Sequence, residues 1–341
     1  MTDISVHVHS FSLRYHLRYR DISNYDVFSY FQDMKDRGFT GVNVSANGAH
    51  YRDLCGTSDS HFAAVRESAR QLGLALELDT SDTRIENMTR MIEVAAACGA
   101  DTLRTYTKYS GELSDIIEWT IRDLRLIAPI AEKHGVMVVL ENHEDFTGPV
   151  LAHILGAVDH PMIRALYDYG NSQMVGEDPL VALQAMAPFI TRVHAKDHVL
   201  LQSPDGPIVQ GVPFGSGRLP LKEITRALYE AGVRRFCYEN VWSYTAPIKC
   251  SIDALPSTPC FTWDDPSRYL ACHAADLGER LVRGGRISLR AESCRPLPLA
   301  LLDRGIDAEQ RDVVGVGLDE LVHAHDDASA RLDLGLEAEG G

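Results

Sequence analysis

Two periodicities trade places along the first 283 residues. Residues 4–9 (ISVHVH), 41–45 (GVNVS), 74–79 (LALELD) and 102–107 (TLRTYT) carry the alternation or β-branched content of strands. Residues 25–37, 61–72, 85–98 and 113–134 carry helical apolar spacing, and Gly38, Gly73, Gly99 and Gly135 stand just past their ends, at the left-handed cap position. The clearest strand is 136–143 (VMVVLENH), whose apolar run reads as buried on both faces, as parallel strands are. The pattern continues with a helix at 151–158, a strand at 164–168, a helix at 179–188 and a strand at 190–196. A helix at 221–231, a strand at 235–240 and a closing helix at 266–283 complete it. Eight strand–helix units with short connections predict a parallel sheet closed into a (β/α)8 TIM barrel over residues 1–283. A doubly wound open sheet is the alternative, but no Gly-x-Gly-x-x-Gly follows the first strand.

Two connections are long for this architecture. Residues 198–220 include SPDGP and the glycine-rich GVPFGSG, and residues 241–265 include Trp242, Tyr244, Cys250, Cys260 and Trp263. Both follow strands, so both would sit on the C-terminal rim, where barrel sites are built. Their aromatic content suggests contact with a substrate or partner rather than idle surface. After about residue 283 the chain changes character. Residues 284–341 are expected to form an acidic C-terminal extension, partly helical or disordered. Positions 303–341 carry 7 Asp and 4 Glu against 3 Arg, net −8. A solvated tail and a subunit-contact arm both fit.

Composition narrows the function. With 45% hydrophobic and 24% charged residues over 341 positions, the chain can bury a core. A formal net charge of −15 argues against nucleic-acid or anionic-membrane partners. No apolar run approaches the roughly 20 residues of a membrane span. Met1-Thr2-Asp3 lacks the basic start of a signal peptide, and the seven cysteines are scattered without a Cys-x-x-Cys pair. A reduced, cytoplasmic location is therefore expected.

Four strands end in a residue able to bind metal: Glu141, Asp168, His194 and Glu239, spaced by 27, 26 and 45 residues. In a barrel these strand ends converge at the mouth. Three carboxylates and one imidazole suit Mn²⁺ first, with Mg²⁺ or Co²⁺ (and Zn²⁺) also fitting. Without a cation, three converging carboxylates would repel one another. His143 lies two positions after Glu141 and so on the same face. Beside the metal but outside its ligands, it reads as a general base, or as a support for a ligand. Lys196, two positions after His194, could bind an oxyanion or hydroxyl, and Asn171 could orient Asp168. Arg104 and Tyr106 point to one face at the end of the fourth strand. His9 ends the first strand, with Arg14 and His16 just beyond, all three candidate substrate contacts. His7 and Cys237 read as structural.

The segments VVLENHEDF (138–146), LYDYGNS (166–172), VHAKDH (193–198) and CYEN (237–240) resemble the sugar phosphate isomerase/epimerase superfamily of xylose isomerase-like barrels. The resemblance implies that Glu141, Asp168, His194 and Glu239 hold the metal, and that a proton is abstracted alpha to a sugar ketone. Ketose epimerases of that superfamily use two metal-bound glutamates, here Glu141 and Glu239, as the acid–base pair. The Glu141-x-His143 arrangement instead resembles its lyase-like members, notably the α-type subunit of C-glycoside deglycosidases. The favoured expectation is therefore β-elimination of the aglycone from a 3-oxo-glycoside, with a smaller β subunit or a homo-oligomer as partner. A ketose epimerase, sugar isomerase or inosose dehydratase-like lyase is the alternative. DNA-repair endonucleases of the same barrel need more histidines and a basic face. A silent barrel serving as a binding subunit is the non-enzyme reading, against which the complete ligand set and His143 stand.

Overall fold

The computed structural model describes residues 4–265, apart from 204, 205 and 243. Strands β1 (Ser5–His9), β2 (Gly41–Ser45), β3 (Ala75–Asp79), β4 (Thr102–Thr105), β5 (Met137–Glu141), β6 (Ile163–Asp168) and β7 (Ile190–Ala195) run parallel. After β7 the chain leaves the barrel as a hairpin, β8 (Asp197–Ser203) and β9 (Gly206–Val212), and returns as β10 (Arg235–Tyr238), which pairs with both β1 and β7. The order around the closed barrel is β1-β10-β7-β6-β5-β4-β3-β2. The (β/α)8 expectation is met.

The helices form where their sequences cap them. After the short α1 (Arg14–Arg18) and α2 (Arg20–Ser23), α3 (Val27–Asp36) starts on the Asp26 carboxylate, which accepts from the Phe28 and Ser29 amides. The Ser58 hydroxyl caps α4 (Asp59–Leu72) through the His61 amide. Helices α4, α5 (Ile85–Cys98) and α6 (Leu113–His134) end on Gly73, Gly99 and Gly135, all left-handed. Helices α7 (Gly148–Val158), the single turn α8 (Asn171–Met174), α9 (Pro179–Met186) and α10 (Leu221–Glu230) complete the described set.

Strand alternation decides where the chemistry goes. Val6, Val8, Val42, Val44, Leu76, Leu78, Leu103, Val138, Leu140, Ala165, Tyr167, Val193 and Phe236 belong to the main apolar core with the helices. The alternate positions fill the lumen, and they are mostly polar. His7, Glu77, Thr102, Arg192 and Arg235 interact at the bottom, where Glu77 receives Arg192 (3.1 Å) and Arg235 (2.8 Å) and lies 3.6 Å from His7. This is the structural role expected of His7. His9, Asp79, Arg104 and His194 stand two positions further along the same strands, and Glu141, Asp168 and Glu239 join them at the C-terminal ends of β5, β6 and β10, at the mouth. A barrel interior this polar is held together by charge pairing, because buried unpaired charges would be prohibitive.

The two long connections carry strands that the sequence reading did not assign. In the first, β8 and β9 pair antiparallel, and the second contributes β11 (Thr245–Pro247), which pairs with β9. Met174, Leu200, Val209, Ala246, Ile248, Cys260 and Phe261 make a small separate core there. Alternation misleads because DHVLLQS is apolar on both faces, and both faces are in fact covered. The glycine-rich run wraps the Asp197 carboxylate, which accepts from the amides of Gly215 (3.1 Å), Gly217 (2.7 Å) and Leu219 (3.3 Å). Cys250 and Cys260 are free thiols. The closing helix at 266–283 and the acidic extension at 284–341 lie outside the described residues, as does Met1-Thr2-Asp3. Among the described residues no helix is long and apolar enough to cross a membrane.

Candidate metal centre and catalytic pocket

Glu141 ends β5, Asp168 ends β6 and His194 lies on β7, and one potential ligand atom from each falls within 4.8 Å of the others. All three are buried. Glu239, one residue past β10, lies outside this cluster. It sits 3.7 Å from the Lys196 ammonium and 3.9 Å from His9. Thus three of the four expected ligands converge in the cluster, and the fourth faces it across Lys196.

The set fits a divalent cation on two grounds. Glu141 Oε2, Asp168 Oδ2 and His194 Nδ1 make no hydrogen bond of good geometry, although Arg104 Nε and Lys196 Nζ approach the two carboxylates at 2.9 and 3.0 Å. Four buried carboxylates (Asp79, Glu141, Asp168 and Glu239) face only Arg104 and Lys196 as permanent cations. That leaves a surplus of negative charge with oxygen and imidazole donors, the chemistry that binds a metal ion.

The electrostatics follow the same pairs. Burial works against ionised Glu141, but Arg104 and His194 hold it well below the usual carboxylate range. Burial likewise opposes ionised Glu239, and Lys196 and His9 hold it down. Burial pushes Asp168 up, with Lys196 opposing and the neighbouring carboxylates adding. His9 is raised despite its burial because Asp79 lies 3.4 Å away. His9 also packs edge-on against His194, and the Asn43 amide lies 3.4 Å from His194 Nε2. These contacts fix the orientation of the His194 imidazole.

Above the cluster lies a cavity of about 240 Å³. His9, Arg104, Tyr106, Glu141, His143, Asn171, Lys196 and Glu239 line it, which gathers most of the residues the sequence singles out. His143 is half-buried and stacks on Tyr106. Burial pulls its pKa down to about 4, with Glu141 opposing, so the ring is neutral at pH 7. Asn171 acts differently from expectation. Its side-chain oxygen accepts from Lys196 (2.8 Å), and it is its backbone amide that holds Asp168 (3.0 Å).

Arg14 and His16 stand apart from the lining. The Arg14 guanidinium is buried and donates to the carbonyls of Phe11 (3.0 Å), Asn240 (3.3 Å) and Trp242 (2.8 Å), tying the rim together. His16 packs edge-on against Tyr25. Neither lines the cavity, because the Arg14 guanidinium donates to rim carbonyls and His16 turns to Tyr25, which residue spacing after β1 does not reveal.

Other lining residues escape the sequence reading. Asp79 ends β3 as Glu141 ends β5, so the same carboxylate-at-strand-end signal marks it. It pairs with Arg104 (3.2 Å) and His9. Phe11, Asn47, Arg52, Lys108, Met174, Val241 and Tyr244 come from rim segments. Tyr244 donates to Glu144 (3.2 Å), which also pairs with Lys249 (2.8 Å). Of the rim aromatics, Tyr244 lines the cavity, Trp263 packs on the small core and Trp242 is 38% exposed.

Residues 31–257 match the family model described as xylose isomerase-like TIM barrel. The chain is 24% identical over 249 residues to the uncharacterized protein YihM of Escherichia coli K12, covering 72% of this chain and 76% of that one. It is 28% identical over 141 residues to 3-oxo-isoapionate decarboxylase of Pectobacterium atrosepticum, covering 41% and 50%. Among solved structures, D-psicose 3-epimerase with D-tagatose from Clostridium cellulolyticum H10 superposes with a TM-score of 0.56. It is 14% identical, over 71% of this chain and 86% of that chain.

Proposed function

The chain belongs to the xylose isomerase-like TIM barrel family, and from that premise we propose a metal-dependent lyase that removes a proton alpha to a sugar ketone and eliminates the substituent beta to it. The relatives named above include an epimerase and a decarboxylase of oxo sugars, which supports an isomerase, epimerase or lyase in general. The preferred substrate is a 3-oxo-glycoside, and the product leaving is its aglycone.

One observation carries the choice of elimination by histidine. Both candidate glutamate bases are engaged, Glu141 by Arg104 at 2.9 Å and Glu239 by Lys196 at 3.7 Å. His143 lines the same cavity and is neutral at pH 7. Carboxylates held by a guanidinium or an ammonium are weak bases; burial weakens the His143 imidazole as well, but its ring is neutral and lines the cavity where it can accept a proton. Glu141, Asp168, His194 and Glu239 would hold the divalent ion, manganese for preference, which would supply Lewis-acid polarisation of the ketone. A ring nitrogen of His143 takes the proton from C2. The electron pair of that C–H bond becomes the C1=C2 double bond, and the C1–aglycone bond breaks with its pair. The departing group takes up one proton, which the imidazolium formed at His143 returns, so the ring ends neutral as it began. Phe11 and Tyr244 offer the apolar wall an aglycone needs.

The test supplies the purified chain with Mn²⁺ and a 3-oxo-glucoside bearing a C-linked aromatic aglycone, and follows free aglycone by chromatography. Release that falls at least 100-fold in His143→Gln, with metal still bound, supports the reading. Deuterium uptake into a ketose panel without release, unaffected by His143→Gln, moves the assignment to the glutamate-based epimerase. Metal binding without either reaction, even with a smaller partner subunit added, leaves the silent barrel.

A further inference from the structure

The cavity has two chemically different walls, and its cations differ in kind. Arg104 and Lys196 are each committed to carboxylates. Arg52 and Lys108 also line the cavity, and both are exposed; the charge of Arg52 acts on the neighbouring Asp53, which lies buried outside the cavity lining. Arg52 follows β2 and Lys108 follows β4, so they flank β3 from its two sides. Met174, after β6, and Val241 and Tyr244, after β10, rise from the strands across the barrel. The cavity is therefore cationic on one side and apolar on the other, over a floor that is strongly acidic.

An acidic floor explains neither of these cations. Exposed cations are ordinarily solvated, and what distinguishes Arg52 and Lys108 is their place, since both line the cavity and stand across the barrel from its apolar side chains. The four carboxylates of the floor pair with Arg104 and Lys196. What Arg52 and Lys108 can reach is a group at the outer end of a bound molecule.

We propose that Arg52 and Lys108 select a substrate carrying an anionic group, a carboxylate or a phosphate ester, on the part of the sugar remote from the scissile bond. Arg52 offers a planar fork of donors and Lys108 a compact charge, a pairing suited to such an oxyanion. The remainder of the molecule then extends toward Met174, Val241 and Tyr244. The inference rests on the proposed reading for the reaction itself, but binding selectivity does not depend on that chemistry.

The experiment compares three 3-oxo-glycosides with one common aromatic aglycone: the neutral glucoside, the glucuronide and the glucoside 6-phosphate. The Mn²⁺-loaded full-length chain is assayed for kcat/KM and, separately, for equilibrium binding by calorimetry. At low salt, one or both acidic substrates should be favoured at least 10-fold over the neutral one, mainly through KM, and their ranking identifies the anion. Arg52→Ala and Lys108→Ala should each remove most of that preference, weakening binding of the acidic substrates far more than of the neutral one. Raising the salt to about 1 M should shrink it, since both cations are exposed. Equal binding of all three, or a preference untouched by the double variant, overturns the inference even if turnover is observed. Acid-selective binding lost in the double variant, with no reaction of any substrate, upholds it and overturns the proposed chemistry.

Discussion

The His143 ring lies flat on the ring of Tyr106, centroids 3.8 Å apart and planes 7° apart. Tyr106 itself sits near the Arg104 guanidinium, 5.1 Å from its centroid. The proposed base is thus positioned by a neighbour that follows β4, while the base itself follows β5. Tyr106→Phe keeps the stacking surface and should retain most activity. Tyr106→Ala removes it and should lower kcat about 10- to 100-fold with KM little changed, as loss of alignment does. Turnover of the proton-exchange reaction in deuterated water measures both.

Metal binding should be visible in stability. A ligand that binds only the folded chain at about 100 times its Kd adds about 2.7 kcal/mol. Mn²⁺ should therefore raise Tm by several degrees, and a chelator should reverse the shift. Asp168→Asn and His194→Ala should each abolish the shift, because both belong to the converging cluster. Glu239→Gln should keep part of it, since Glu239 stands apart beside Lys196. Thermal melts with and without metal decide.

Acid should destabilise the bottom of the barrel through His7. Burial lowers its pKa from 6.5 to about 4, with Glu77 opposing and Arg235 and Arg192 adding to the fall. Between those values the unfolded chain binds a proton that the folded chain refuses. The stability His7 contributes is therefore complete above about pH 6.5 and lost as pH falls toward 4. The shift is worth on the order of 3 kcal/mol. Denaturant titrations at pH 7 and pH 4.5 should show a steeper loss in the wild type than in His7→Gln.

Gly148 begins α7 where that helix meets α9. A Cβ there would lie 2.6 Å from both the Cα and the carbonyl oxygen of Ala182. Backbone cannot move aside as a side-chain tip can, so Gly148→Ala should force the helices apart. A loss of about 1–3 kcal/mol is expected by denaturation, the usual penalty for overpacking.

How much of this was legible in the chain differs by level. Helices α5 and α6 begin and end where periodicity and the glycine caps place them, because both signals are local. The inward carboxylates are legible from strand alternation, since each follows a run whose neighbours are apolar. Asp79 carries the same signal at the end of LALELD and goes unread among four better-spaced residues. The β8–β9 hairpin hides inside a stretch dense in glycine and proline, and its third strand comes from over thirty residues away. Arg14 is a charged residue that spacing assigns to the mouth and packing assigns to the backbone carbonyls of the rim.

The sequence by itself determined the barrel and the identity of the ligand-type residues, because both follow from two-residue alternation along single strands. Only the tertiary structure decided which charges meet. Arg104 reaches Glu141 across the β4–β5 pair, Lys196 reaches Asp168 across the β6–β7 pair, and Tyr106 reaches His143 between neighbouring strand ends. These contacts depend on register and closure between segments separated by tens of residues. They leave His143 as the uncommitted base and Arg52 and Lys108 as cations outside these pairs, because Coulomb pairing follows distance in space and not position in the chain.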